Sequence, residues 1–452
     1  MIIDTLSLDS KDPIKADVCI IGGGAAGITI AMELDKAGIS VAILESGGLD
    51  PDGNTQSLSD GTNTGRPYFP VIATSTRYLG GNTNRWGSWC RPLDAMDLEP
   101  RDWVPHSGWP VTREELDPYY LRAHTVLGLR DYNYDVASFL KSIDSTGLDE
   151  IDFDSDEILT KIWQFKKPPR RFGKDFREDL SQSENISLYL HAIVTDIVLA
   201  ENGTGVRELS VKNFEGFHTQ AVAKHYILAS GGIENPRILL ASRNQDPNGV
   251  GNQNDNVGRY FMEHPHLHRN GMLLFTGLSD YPTLYNSDTQ YTQKVVGGIC
   301  PSQSFQRDKR ILNFSATFKP SEKMWGTAEF AEGSYEYVSN MLWDLSKLPG
   351  ILYRKMKRKV TGEKYRAPER LLVDINSRWE QAPNPESRIK LDDTAIDAMG
   401  MPRTNIHWKL LGIDRKTAFE VHSAIGRAVG AQDLGRFQLE LAESKLADDE
   451  DW

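Results

Sequence analysis

Three glycines and one acid carry the first chemistry in this chain. Gly22, Gly24 and Gly27 hold the first, third and sixth places of the turn Gly22-Gly23-Gly24-Ala25-Ala26-Gly27, and Glu45 follows eighteen residues after Gly27. A turn of this kind brings backbone N–H groups up to a pyrophosphate at the positive end of a helix. The acid accepts hydrogen bonds from a ribose diol, and its charge disfavours a 2′-phosphate. Gly22 permits the sharp turn, Gly24 the close approach of the backbone, and Gly27 the tight packing of helix on strand. The elements needed to position these residues follow in order. Residues 18–21 read as a buried parallel strand, 28–37 as a helix closed by Gly38, and 41–44 as a second strand ending at Glu45. This is a dinucleotide-binding βαβ unit, which by itself does not separate FAD from NAD.

Two later stretches have compatible chemistry. Residues 77–94, RYLGGNTNRWGSWCRPLD, combine three glycines with two tryptophans and three arginines. They make a poor helix and a poor strand, so an ordered loop is expected that lies close to something flat or anionic. Residues 225–237, HYILASGGIENPR, read as a buried strand breaking at two glycines before a helix, again suited to a nucleotide. The stretch 50–65 lacks an apolar period and is expected to be an exposed loop. The basic run 166–174 is expected to be a solvated face or a lid over substrate.

Composition excludes several classes. The chain has 452 residues, 39% hydrophobic and 25% charged, with a net charge of −12, which disfavours nucleic acid and anionic membranes as partners. No run approaches the roughly 18 apolar residues of a spanning helix, so a soluble protein is expected. The three cysteines, Cys19, Cys90 and Cys300, are widely spaced and suggest neither a disulfide framework nor zinc. Residues 1–15 show no secretory pattern, and a cytoplasmic location is the simplest expectation.

The motifs together resemble the glucose–methanol–choline (GMC) oxidoreductases, FAD enzymes that oxidise alcohols, and in particular the bacterial, pyranose-oxidase-like branch acting on sugars. The resemblance rests on Gly22–Gly27 with Glu45, on residues 80–87 (GGNTNRWG) and 90–94 (CRPLD), and on 103–110 (WVPHSGWP) with Tyr119 and Tyr120. It continues through 229–237 (ASGGIENPR), 257–265 (VGRYFMEHP) and 381–388 (QAPNPESR). It implies an α/β protein: a Rossmann-like FAD-binding domain over 1–265, with a cap-like or lid-like insertion at 66–185, and a substrate domain over 266–452 built on an antiparallel sheet with helices (α+β). The reaction implied is oxidation of a CH–OH group by hydride transfer to flavin N5, with an open choice of hydroxyl compound and electron acceptor. Some relatives bind flavin covalently through a histidine in the second glycine loop. This chain has Asn84-Arg85-Trp86 there, so FAD held without a covalent link is expected.

Cofactor-binding residues expected on these grounds are Gly22, Gly24, Ala25, Ala26, Gly27, Glu45, Ser46, Arg77, Gly81, Asn82, Asn84, Arg85, Trp86, Gly87, Ala192, Val194, Ser230, Gly231 and Asn235. The resemblance also implies a catalytic histidine motif near the carboxyl terminus. It is absent from this chain, so the catalytic pair is expected beyond Trp452 or from a partner chain; a homo-oligomer is left open as a further partner. A flavin-binding subunit without its own activity, and an NAD-dependent dehydrogenase, are the rival readings. His264, His266 and His268 alternate as on one strand face, but without converging acids or cysteines no metal is expected, and His264 marks the crossing into the substrate domain. From 270 onward, 271–275, 294–299, 311–318 and 371–379 read as strands of a sheet with one apolar face and one face walling a cavity. Helical pieces are expected within 327–358, at 415–429 and at 436–446, and paired strands at 388–391 and 404–408.

Overall fold

The computed structural model describes residues 1–8, 12–143, 148, 150–276, 282–286, 294–321 and 371–439. Its first sheet is made of β1 (Ile2–Asp4), β2 (Ile14–Ile21), β3 (Val41–Leu44), β6 (Ile186–Leu190), β7 (Ile193–Leu199), β8 (Val206–Lys212) and β9 (His218–Leu228), in the spatial order β1-β6-β3-β2-β9-β8-β7. β1, β6, β3, β2 and β9 run parallel, and β8 is antiparallel to both its neighbours. A parallel sheet is covered on both faces, which is why its strands read as unbroken apolar runs. Val18, Ile20, Val41 and Ile43 pack with Ile28 and Ala31 of the Ala25–Lys36 helix. Cys19, Ile21, Ala42 and Leu44 face the other way, toward Val194, Leu209 and Ile238.

β9 departs from the expected buried strand. It pairs with β8 only over 218–221 and with β2 over 221–228, so beyond Ala221 it has one partner strand among the described residues. Its residues 222–228 are accordingly half-buried or exposed.

The second sheet is antiparallel: β5 (Ile158–Gln164), β10 (His266–Phe275), β11 (Val295–Pro301), β12 (Phe314–Pro320), β13 (Leu371–Trp379) and β16 (Gly435–Leu439), ordered β16-β10-β13-β12-β11-β5. Strand alternation sorts its side chains. Val373, Ile375 and Trp379 of β13, with Phe314, Ala316 and Phe318 of β12, form a core with Ala418, Val421 and Ile425 of the Gly412–Ala431 helix. The opposite face carries Asp374, Asn376 and Arg378 of β13, with Ser315 and Thr317 of β12 beside them. β5 comes from the segment expected as a cap-like insertion and closes one edge of this sheet.

A third sheet joins β4 (Gly61–Asn63) to the hairpin of β14 (Arg388–Ile396) and β15 (Pro402–His407), in the order β14-β15-β4. The stretch 50–65 is therefore not an exposed loop. Asp52 accepts a hydrogen bond from the Thr55 N–H (2.7 Å) at the start of a short helix, Gly53–Ser57, and Thr55, Leu58 and Ser59 are buried. Two other local expectations change as well. Residues 435–439 form β16 against β10 rather than a helix, the rest of the expected 436–446 helix lying outside the described residues. Residues 136–142 form a helix capped by Asp135 within a stretch that reads as acidic loop. The expected helical pieces of 327–358 also lie outside the described residues.

Candidate cofactor site

The Ala25–Lys36 helix begins with Gly24 as its N-cap, and no side chain occupies the capping position. Its first N–H groups are left for an outside acceptor, and the helix dipole favours an anion there. Each glycine of the turn meets a different steric demand. Gly22 has φ +106°, and an added Cβ would lie 2.8 Å from the Ala229 carbonyl oxygen. A Cβ on Gly27 would fall 2.0 Å from the Gly22 oxygen, so helix and turn touch backbone to backbone. A Cβ on Gly24 would meet nothing within 4 Å, because that position opens into a cavity.

The cavity has a volume of about 500 Å³. Gly22, Gly24, Ala25 and Ala26 form one wall, and Glu45 and Ser46 at the end of β3 form the next. Glu45 is buried; its Oε2 accepts from the Gly23 N–H (2.8 Å) and its Oε1 from the Gly47 N–H (2.9 Å). Arg77, Gly81, Asn82 and Trp86 come from the second glycine loop, Ala192 and Val194 from the start of β7, and Ser230, Gly231 and Asn235 from the turn after β9. The two glycine loops interlock, with the Gly80 N–H donating to the Gly23 oxygen (2.8 Å). Gly80 and Gly81 both lie at positive φ, +99° and +51°, which only glycine adopts cheaply.

Four expected residues do not line the cavity. Gly27 sits behind the turn, and Asn84 braces its own loop by donating to the Leu79 oxygen (2.9 Å). Arg85 is exposed, and Gly87 follows Trp86 out of the lining. The basic run 166–174 is solvated only in part: Lys167 and Lys174 are exposed, while its middle turns inward. Arg171 donates to the carbonyls of Thr83 (2.5 Å) and Trp86 (2.9 Å), and the Trp86 indole donates to the Arg170 carbonyl (2.6 Å). The Phe172 N–H donates to the Thr83 hydroxyl (3.1 Å), so this run fastens the second glycine loop from behind.

Sequence reasoning misses an ionic frame on the far wall. Arg77 pairs with Glu234 (2.5 Å), and Arg237 pairs with Asp397 (2.6 Å) while donating to the carbonyls of Leu58 (2.7 Å) and Pro402 (2.9 Å). Arg237 and Asp397 are almost wholly buried and join the helix Gly231–Ala241 to the hairpin of the third sheet. Glu234 and Arg237 stand in the 229–237 motif and could have been found by charge in an apolar setting. Asp397 carries no local signal.

The lining suits an adenine dinucleotide. A bare helix N-terminus accommodates a pyrophosphate, and Glu45 beside it matches a ribose diol. Thr76 lines the cavity with a buried hydroxyl that has no partner among the described residues, as a ligand-facing donor would. Among the described residues, no group of three or more histidines, cysteines and acids is placed to hold a metal ion. His264 and His266 stack on each other (4.5 Å between centroids), and the His268 side chain lies outside the described residues.

Comparison with known proteins agrees with this geometry. Residues 17–136 match the family of FAD dependent oxidoreductases. Over 510 aligned positions the chain is 22% identical to the fructose dehydrogenase large subunit of Gluconobacter japonicus, covering 92% of this chain and 85% of that one. Over 133 positions it is 32% identical to an uncharacterized GMC-type oxidoreductase of Sinorhizobium fredii, covering 27% and 26% of the two chains. Among solved structures, formate oxidase shares the fold with a TM-score of 0.51 at 16% identity, over 97% of this chain and 86% of that one. Fold, cavity and family match define an FAD-dependent oxidoreductase. Within that class the chain is similar to GMC-type oxidoreductases, the description that the Sinorhizobium relative carries. No helix among the described residues is long and apolar enough to cross a membrane.

Proposed function

We propose that this enzyme oxidises a CH–OH group of a sugar or glycoside, using FAD held without a covalent bond in the cavity between the two glycine loops. The observation that carries the reading is the uncapped helix N-terminus facing Glu45 across a cavity of about 500 Å³, walled by Trp86 of the loop that leads to the second sheet. FAD, when bound, supplies the hydride acceptor. The chain's own residues bind and orient. The N–H groups at Gly24–Ala26 receive the pyrophosphate, Glu45 the ribose, and Trp86 is fixed by its bond to Arg170. Among the described residues the cavity lining contains no histidine, cysteine or tyrosine, side chains that attach flavin covalently, which supports a dissociable cofactor. A sugar substrate is supported by the name of the Gluconobacter relative, and the words "large subunit" in that name support a partner chain.

The cofactor domain over 1–265 and the substrate domain over 266–452 are supported by the first and second sheets, with β5 lent to the second by the insertion 66–185. The three free cysteines fit a reducing cytoplasm. The experiment is an anaerobic visible spectrum of the FAD-loaded protein before and after addition of sugars and simple alcohols. Bleaching of the flavin band by a sugar is expected. Bleaching by simple alcohols alone would remove the sugar assignment, and retention of flavin through acid precipitation would remove the non-covalent one.

A further inference from the structure

Several buried or half-buried arginines in this protein have a carboxylate. Arg101 pairs with Glu380, Arg237 with Asp397, and Arg91 with Asp94. Arg378 does not. It stands on the polar face of β13, directly opposite His266 of β10 on one side and Ser315 of β12 on the other. Among the described residues no ion pair or side-chain hydrogen bond reaches its half-buried guanidinium, and burial pulls that group down from its ordinary value. Its one specific contact is a stack over the Trp89 indole, 5.1 Å from guanidinium carbon to ring centroid. A desolvated cation without a counter-charge costs free energy that a protein recovers when an anion binds.

The partner side of this spot is equally unfinished. Trp89 is held flat by a stack on Phe165 (6.4 Å, 20° between planes), yet its indole N–H is buried with no acceptor. Ser88, buried at 3% exposure and held at φ +54°, has a hydroxyl that is also without a partner. Cys90 pairs through its backbone with Gln164 of β5, at 2.9 and 3.0 Å, so this short run is a fixed bridge between the cofactor loop and the second sheet. Trp86, three residues earlier, lines the cofactor cavity. Two buried donors without acceptors among the described residues, the Trp89 indole and the Ser88 hydroxyl, thus lie on the run that joins that cavity to the second sheet, with Arg378 stacked on Trp89.

We propose that Arg378 and Trp89 form a subsite for a carboxylate on the hydroxy substrate, so that the enzyme prefers a sugar acid or hydroxy acid to the corresponding neutral polyol. Stacking on an indole leaves the edge of a guanidinium free, and that edge matches a carboxylate in bidentate fashion. The inference rests on the reading of a CH–OH substrate and refines it. The run from Trp86 to Trp89 connects the cofactor cavity to this spot, so the carboxylate serves as the handle by which the substrate is oriented.

The test is equilibrium dialysis of D-glucuronate, D-glucose and D-glucose 6-phosphate against the FAD-loaded protein and its Arg378→Gln and Arg378→Lys variants, with urea midpoints checking the fold. Glucuronate is expected to bind about 10- to 100-fold more tightly than glucose, the range of a charge-assisted bond. The preference should collapse to within about 3-fold in Arg378→Gln and return in part in Arg378→Lys. Equal binding of acid and neutral sugar, a preference that survives Arg378→Gln, or tighter binding of the sugar phosphate would each overturn the proposal. An Arg378-dependent preference without flavin bleaching would leave the subsite standing and count against the oxidation reading. Bleaching by neutral sugars with no preference for the acid would do the reverse.

Discussion

The two large sheets handle polar chemistry in opposite ways. The first is parallel from β1 to β9 in its spatial order, packs apolar side chains on both faces, and brings its chemistry to strand ends, where glycine turns present backbone N–H groups to the cavity. The second is antiparallel, buries one face against the Gly412–Ala431 helix, and brings its chemistry to the middle of the other face as side chains. A backbone site depends on what a residue lacks, and a side-chain site depends on register. The first is therefore rigid and intolerant of added atoms, while the second is open to retuning one residue at a time.

The strongest break in the first region is expected at its ionic frame. Arg237→Ala strands the buried carboxylate of Asp397 and frees two carbonyls, and should cost about 3–5 kcal/mol, read as a lowered urea midpoint. Next comes Gly27→Ala, whose methyl group would overlap the Gly22 oxygen, with a cost of about 1–3 kcal/mol and loss of bound flavin in gel filtration. Glu45→Ala removes the acceptor of the Gly23 and Gly47 N–H groups together with the ribose contact. Flavin affinity should fall by about 10- to 100-fold in a fluorescence titration, and an unchanged affinity would remove Glu45 from the site.

The second region supplies the smallest effect, a dependence on pH. His422 is fully buried, bonded to the Ser377 hydroxyl (2.8 Å) and the Ala418 carbonyl (2.6 Å), and burial pushes its pKa down to about 4. The unfolded chain, with a histidine near 6.5, takes up the proton first. This contribution to stability is present above about pH 6.5 and is lost as pH falls toward 4, with a slope of at most about 1.4 kcal/mol per pH unit. His422→Gln should flatten that limb of the urea-midpoint profile, and an unaltered limb would assign it to other groups.

The same contrast explains what the sequence reveals. Gly22, Gly24, Gly27 and Glu45 are legible because their spacing is local and each answers one steric or hydrogen-bonding need. The apolar runs of β2 and β3 are legible because both faces are covered. The stretch 50–65 is misread because its residues 61–63 pair with β15, more than three hundred residues away, and the Leu58 carbonyl accepts from Arg237, which no local period announces. The run 166–174 looks like solvated charge because its arginines spend their donors on loop carbonyls, which leave no mark in sequence. Asp397 and Arg378 acquire meaning only through packing and strand register, the first as the partner of Arg237 and the second as an arginine left without one.

The account rests on the open space in front of Gly24, and Gly24→Val probes it most directly. The added side chain meets no protein atom at its Cβ and lies at an ordinary negative φ of −85°, so the fold should survive with its urea midpoint unchanged. Titration of the apoprotein with FAD, followed by quenching of flavin fluorescence, should show binding in the unsubstituted protein and its loss in the variant. A variant that folds and binds FAD with undiminished affinity would contradict the placement of the pyrophosphate at this helix and, with it, the assignment of the cavity.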